Sequence, residues 1–369
     1  MNFNFTETKL MMMEGLPSTG KSTNSSIIFS KLEQNGYIVK WIHEIARPHP
    51  TLFFYEACLE QYEFEKVIRT YPHTVPILNK IKRNLDHFIC IDLLEIEWNH
   101  LELFREDALN ALKKYDAWNF SLKRFMKVAL EKWKHFATTQ LQKTNEVIIL
   151  DSSIFQFQIY TFLLENAPFD MLSDFIQSLY KIIKPLEPTM VYLYRDNFEN
   201  TIEYLIKDRG IDWLNGIWER DKHLPYYQGK PLGVEGYKLF LRDYENSARR
   251  LFNQSPFNKL SLEITGGKWD EYVDQLLSFL NISFSQTPKV SLPYQKFFNS
   301  ELNKVIEIYD DIFITPNGEQ KRLSRKNNNE FYLNNIPVII RLEEDQVVFT
   351  GEQLCERWTS TGTIFQRVN

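Results

Sequence analysis

The sequence predicts an α/β protein, a five-stranded parallel sheet flanked by helices, with a helical insertion and a small C-terminal antiparallel β domain. Three observations carry this. An apolar strand-like run at 9–13 passes through a glycine-containing loop into a helical pattern at 22–33. Four further strand-like runs then alternate with helical stretches as far as residue 280, and such alternation builds parallel sheets. Beyond residue 281 the pattern changes to short strand-like pieces divided by Asn- and Gly-containing turns.

The loop reads Gly15-Leu16-Pro17-Ser18-Thr19-Gly20-Lys21-Ser22, which is G-x-x-x-x-G-K-[ST], the P-loop pattern, and strand–loop–helix is the setting that pattern requires. The expected fold is therefore that of a P-loop NTPase. Gly15 and Gly20 let the backbone bring its N–H groups close to phosphate oxygens. Pro17 lacks an N–H, but the rest of the loop supplies enough donors. The helix that follows turns its positive end to the same place. Lys21 adds charge at the β- and γ-phosphates, and the Ser22 hydroxyl is a Mg²⁺ ligand. Expected nucleotide contacts are Gly15, Leu16, Pro17, Ser18, Thr19, Gly20, Lys21, Ser22 and Thr23, together with Arg195. The expected cofactors are ATP and Mg²⁺.

A second strand is expected at 37–42, with Gly36 closing the preceding helix. Glu44 stands just past its carboxyl end, where open α/β sheets bind ligands. It is either a functional acid or a solvated loop residue. His43 and His49 beside it read as ordinary loop residues. Residues 52–143 read as a helical insertion, with Phe54, Cys58, Tyr62 and Val67 on one stripe and long helices at 101–115 and 121–143. Residues 87–94 fit a buried helix or a strand, and helix is the expectation. In this insertion Asp116, Asn119 and Arg124 are either a polar group that reads an acceptor or helix caps.

A third strand, 146–151, ends in Asp151, which either positions Mg²⁺ or caps the helical stretch after it. A fourth, 189–194, is followed by Arg195. Residues 209–236 bring back glycines together with Arg209 and Arg220. They read as a mobile lid whose guanidinium groups offset developing phosphoryl charge, or as a solvated charged loop. A fifth strand at 259–264 and a helix at 269–280 close the first unit, 1–285. After a linker marked by Pro288 and Pro293, residues 290–369 form the β module. Its clearest hairpin joins 336–342 to 347–349, and it carries no chemical motif.

The first 280 or so residues resemble the nucleoside and nucleoside-monophosphate kinases, including thymidylate kinase and the deoxynucleoside kinases. The resemblance rests on the P-loop at 15–22, Glu44, Asp151, the Arg-containing segment 209–220 and the final strand and helix. It implies that Glu44 takes a proton from an acceptor hydroxyl, that the insertion forms the acceptor pocket, and that the lid supplies arginines. The deoxynucleoside kinases carry Arg after the third strand's acid, whereas here Ser152 follows Asp151. The insertion is also larger than theirs, and the β module has no counterpart.

Composition bounds the rest. At 43% hydrophobic residues the chain can build a sizeable core, which excludes global disorder. A net charge of −5 argues against a nucleic-acid partner. Three cysteines without C-x-x-C spacing argue against a disulfide scaffold or zinc site and fit a reducing cytoplasm. No run suits a signal peptide or membrane span, so a cytoplasmic location is expected. The expected activity is ATP-dependent phosphoryl transfer to a small-molecule acceptor, with Lys21, Glu44, Asp151, Arg209 and Arg220 as its catalytic groups. The alternatives are a nucleotide-gated ATPase that binds a protein partner or a second copy through the β module, and a kinase of a macromolecule.

Overall fold

The structure, a computed structural model, describes residues 7–282 and 289–368; Pro288 of the expected linker lies outside them. Strand β1 (Leu10–Gly15) is buried at every position. The P-loop leads from it into α1 (Lys21–Gln34) and, past Gly36 at φ 83°, into β2 (Ile38–Ile42). An insertion follows: β3 (Glu56–Glu60), α2 (Gln61–Thr70), α3 (Val75–Ile81), β4 (Arg83–Asn84), β5 (Phe88–Asp92), α4 (Leu93–Asn99), α5 (Leu101–Lys113) and α6 (Leu122–Leu141). The chain returns with β6 (Glu146–Asp151), α7 (Gln156–Leu164), α8 (Phe169–Ile183) and β7 (Thr189–Tyr194). Then come α9 (Phe198–Arg209), α10 (Ile211–Asp221), α11 (Gly233–Gln254), β8 (Asn258–Glu263) and α12 (Trp269–Phe279).

The five-stranded sheet has the order β2-β6-β1-β7-β8, and every pairing is parallel. The fold class expected from the sequence is the one observed. Register fixes the site. Met13 lies opposite Asp151 and Gly15 opposite Leu193, so the P-loop leaves the sheet between the ends of β6 and β7.

The insertion is not wholly helical. β3, β5 and β4 form an antiparallel sheet, with Cys58 opposite Cys90. Residues 87–94, expected to be helix, hold β5 instead. Their side chains alternate between two apolar clusters: Phe88 and Cys90 enter one, Ile89 and Ile91 the other. A strand buried on both faces reads as a continuous apolar run, without the period of two that identifies a half-buried strand. The stripe drawn through Phe54, Cys58, Tyr62 and Val67 is split for the same reason, since Cys58 lies in β3 and Val67 in α2.

The C-terminal module is a closed antiparallel barrel of β9 (Gln295–Asn299), β10 (Lys304–Tyr309), β11 (Ile312–Ile314), β12 (Gln320–Arg325), β13 (Glu330–Leu333), β14 (Val338–Leu342), β15 (Gln346–Gly351) and β16 (Ile364–Val368). β9 pairs with both β10 and β16 and so leaves no free edge. Phe297, Phe313, Phe331, Phe349 and Phe365 are fully buried, and side chains fill its interior. The barrel docks along α1, β2 and the loop after β2. Tyr332 packs edge-on against Phe29 at 5.6 Å and donates to Glu33 Oε2 at 2.5 Å. Lys326 pairs with Glu33 at 3.1 Å and Lys40 with Glu352 at 3.0 Å. Ala46 bridges to Leu354, and the Arg47 N–H donates to the Gln353 carbonyl at 2.7 Å. Among the described residues no helix is long and apolar enough to cross a membrane.

Candidate nucleotide and acceptor cleft

The P-loop wraps around one of its own carbonyls. Lys21 Nζ and Thr19 Oγ1 both donate to the Leu16 carbonyl, at 2.9 and 2.8 Å. Helix α1 starts at Lys21 with no side-chain cap, so its first-turn N–H groups face the loop, the arrangement that binds anions. Gly15 is required by its surroundings. At φ 150° a Cβ would lie 2.5 Å from the Leu193 carbonyl oxygen, which belongs to the neighbouring strand and cannot yield. Gly15→Ala is expected to cost about 2–4 kcal/mol in strain and overpacking, read as a fall in the urea midpoint. An unchanged midpoint would show that the loop relaxes freely.

At the end of β6, Asp151 is fully buried. Its Oδ1 accepts from Ser152 Oγ at 3.0 Å, while Oδ2 has no hydrogen-bond partner among the described residues. Burial holds its carboxyl above the usual range, opposed by nearby His43 and Lys21. The alternative of a helix cap is overturned. The Ile154 and Phe155 N–H groups ahead of α7 are taken by Glu14 Oε1, at 2.9 and 3.3 Å. The Ser22 hydroxyl and the orphaned Asp151 oxygen face a shared neighbour, since His43 Nε2 lies 3.2 Å from Ser22 Oγ and 3.8 Å from Asp151 Oδ2. His43 Nδ1 accepts the Ile45 N–H at 3.3 Å, so in the neutral ring Nε2 carries the proton and donates to Ser22. A hydroxyl and an unpaired buried carboxylate oxygen are hard oxygen donors and fit Mg²⁺.

Two residues next to the P-loop and the end of β6 were missed from sequence. His43 is a buried hydrogen-bonded group beside Ser22 and Asp151, not an ordinary loop residue. Glu14 is fully buried, with its carboxyl pushed up to about 8 by burial, against hydrogen bonds from Ile154 and Phe155. Burial thus favours its protonated form, which does not repel phosphate at the loop it precedes. A lone acid within an apolar buried strand is the signal that would have found it.

Glu44 lines the cleft and is not simply solvated: its Oε2 accepts from Gln156 Nε2 at 2.7 Å. Gln156 opens α7, directly after the turn that Glu14 holds. Arg195 is buried beneath the loop, with its Nη2 donating to the Ser18 carbonyl at 3.2 Å and its guanidinium 4.1 Å from the Tyr204 ring centroid. Its Nη1 is buried without a hydrogen-bond partner among the described residues. Leu16, Pro17, Ser18, Gly20 and Thr23 line the cleft with Lys21 and Ser22, whereas Gly15 and Thr19 shape the loop behind them.

The segment expected to be a mobile lid, or else a solvated charged loop, is mostly helical. Residues 211–221 form α10, which packs on α11, and Gly210 at φ 83° is the joint to α9. Gly236 is in α11, where a Cβ would meet the Pro231 carbonyl at 2.3 Å. Arg209 and Arg220 both reach the cleft but differ. Arg209 is about half exposed, 3.5 Å from Asp208, which also accepts from Ser18 Oγ at 2.6 Å. Arg220 makes two 2.7 Å bonds to the buried Asp221 carboxylate, donates to Tyr160 OH at 2.7 Å and lies 5.4 Å from the Trp118 ring centroid.

The P-loop, His43, Glu44, Gln156, Arg209 and Arg220 line one cleft of about 910 Å³, while Glu14, Asp151 and Arg195 are buried behind its wall. Beyond the P-loop its walls are aromatic, with Trp118, Phe157, Tyr160, Trp213, Tyr237 and Phe240 among them. The barrel contributes Lys321, Asn335 and Ile336. Asp116, Asn119 and Arg124 stay outside it. Asp116 accepts from the Trp118 N–H at 3.4 Å, and burial lifts its carboxyl to about 6. Asn119 donates to the Lys113 carbonyl, and Arg124 ties Glu63 and the Cys58 carbonyl. They brace the wall that presents Trp118.

No family model matches the chain, and no curated protein matches it in sequence. Among solved structures it is similar to a thymidylate kinase from Candida albicans, with 14% identity and a TM-score of 0.36 over 74% of this chain and 91% of that one. At that score the two chains share too little to carry an argument, and the cleft has to be read from its own side chains.

Proposed function

We propose that the protein is an ATP-dependent phosphotransferase that moves the γ-phosphoryl group to a hydroxyl or phosphate of a nucleoside- or nucleotide-like small molecule. The carrying observation is that the P-loop lysine, Ser22 and Glu44 line one aromatic-walled cleft, with the buried Asp151 carboxyl behind Ser22 through their shared neighbour His43. Lys21 and the loop N–H groups hold the β- and γ-phosphates. Ser22 and Asp151 would hold Mg²⁺, which supplies charge neutralisation on the phosphates when bound. Glu44, oriented by Gln156, accepts the proton of the attacking hydroxyl. Arg209, which lines the cleft beside Asp208, would offset charge on the transferring group, and Arg195, buried under the loop, would act through its bond to Ser18. Aromatic walls suit a planar acceptor, which would stack on them.

A second reading has one observation in its favour. The barrel grips both α1 and the loop after β2, so a nucleotide-driven shift of either would reach its surface. In that reading the protein is a slow ATPase that signals to a partner. Mg²⁺-dependent ADP formation, measured with nucleosides, nucleoside monophosphates, sugars and aminoglycosides, separates the two. Stimulation by one pool by tenfold or more supports the kinase. ATP turnover that no pool raises would exclude a kinase for these acceptors.

A further inference from the structure

We propose that the β-barrel is part of the acceptor site, with Lys321 holding an anionic group of the acceptor. This deepens the kinase reading and rests on it. Three barrel residues, Lys321, Asn335 and Ile336, line the same cleft as the P-loop, although they lie some three hundred positions later in the chain. Their side of approach follows from the docking contacts. The barrel touches α1 through Phe29 and Glu33, β2 through Lys40, and the loop after β2 through Ala46 and Arg47. That loop begins at His43 and itself carries Glu44, two residues past the end of β2. The barrel therefore enters the cleft from the side of the group that receives the acceptor's proton.

The cations lining the cleft are not equivalent. Lys21 belongs to the phosphates of the donor. Arg209 is held by Asp208, which is bonded to Ser18 of the P-loop, and so stands at the donor end. Arg220 is cancelled in place by a carboxylate that is itself buried, at 2.7 Å through two nitrogens. Lys321 differs from Lys21 and Arg209 in standing on the barrel side of the cleft, and from Arg220 in its partner. Its side chain is 21% exposed, and its acidic neighbour, Glu319 at 3.0 Å, is 65% exposed. A water-screened pair of that kind is weak, so the ammonium remains available to a ligand anion. An ammonium on a flexible stem reads charge as a point rather than geometry, which suits a phosphate or carboxylate carried by the acceptor. The barrel wall is fastened at several points, so this charge is presented in place rather than recruited.

The test uses the full chain in the presence of Mg²⁺ and a non-hydrolysable ATP analogue. Binding of nucleosides is compared with that of the corresponding 5′-monophosphates by calorimetry. The wild type is expected to bind the monophosphate at least tenfold more tightly. Lys321→Ala should remove that preference, Lys321→Arg should retain most of it, and the affinity for the ATP analogue should stay within twofold in both. A preference that survives Lys321→Ala, or a loss that falls on the ATP analogue instead, would overturn the assignment while leaving the kinase reading intact. If the analogue binds but no nucleoside or monophosphate does, the acceptor class is wrong and both readings fall.

Discussion

Lys21→Ala is expected to lower kcat/KM for ATP-dependent turnover by about 10²–10³-fold, the usual consequence of losing one preorganised electrostatic donor from a transition state. That corresponds to roughly 3–4 kcal/mol. Among the described residues Lys21 makes one hydrogen bond, to the Leu16 carbonyl at 2.9 Å, so its ammonium is parked inside the loop with bonding capacity to spare. Removing it leaves Thr19 Oγ1 still bonded to the same carbonyl, which keeps the loop closed. The fold should therefore survive, and circular dichroism with a thermal melt checks that. The loss should appear first as weakened binding of the ATP analogue and then as a lower kcat. Turnover within tenfold of wild type would mean that the phosphates do not lie in this loop, and the P-loop reading would fail. Asp151→Asn should act differently. It keeps the shape but lowers the charge available to the cation, so its effect should be partly recovered by raising Mg²⁺, whereas that of Lys21→Ala should not be.

What was legible in the sequence divides along physical lines. The parallel sheet was readable because β1, β2, β6 and β7 are largely apolar runs and β8 alternates polar with apolar residues, and the P-loop because its residue types are dictated by backbone approach. The insertion's small sheet was not. β5 alternates between two apolar clusters, so alternation leaves no polar positions to reveal it. In the barrel, β12 (QKRLSR) is largely polar and β16 (IFQRV) is mixed, and their strand character comes from pairing around a closed ring rather than from composition. Ser22 and Asp151 were legible as a pair because motif and strand end point to them. His43 was not, since a histidine next to a proline-broken loop looks the same whether or not it reaches across to Ser22. Lys321 was beyond reach altogether. Only the docking of the barrel on α1 and β2 places it in the cleft, and no local pattern encodes that docking.

The largest stability effect is expected at Glu56, far from any motif. Its carboxylate is buried and bonded to both Arg83 and Lys132, and Lys132 is equally buried. Burial would raise its pKa, but the charges of Arg83 and Lys132 outweigh that and hold it below the usual value. Glu56→Gln preserves the shape and leaves the Lys132 ammonium, 3% exposed, without a counter-charge. Breaking a buried pair in this way costs about 3–5 kcal/mol. Urea unfolding at pH 7 should show that loss, and the double variant with Lys132→Met should recover much of it, because the uncompensated charge is then gone. The acid side gives an independent check. A carboxyl whose folded pKa is depressed contributes stability that is present above its unfolded value of about 4.5 and lost as pH falls through the folded value. Wild type should therefore lose stability more steeply than Glu56→Gln below pH 4.5. The consequence reaches the cleft, because Glu56 anchors β3 against α6, and β3 is bridged at Ala57 to Asp116, which holds the turn carrying Trp118. A variant as stable as wild type at pH 7, with unchanged acid sensitivity, would show that β3 and its wall stand without this ion cluster.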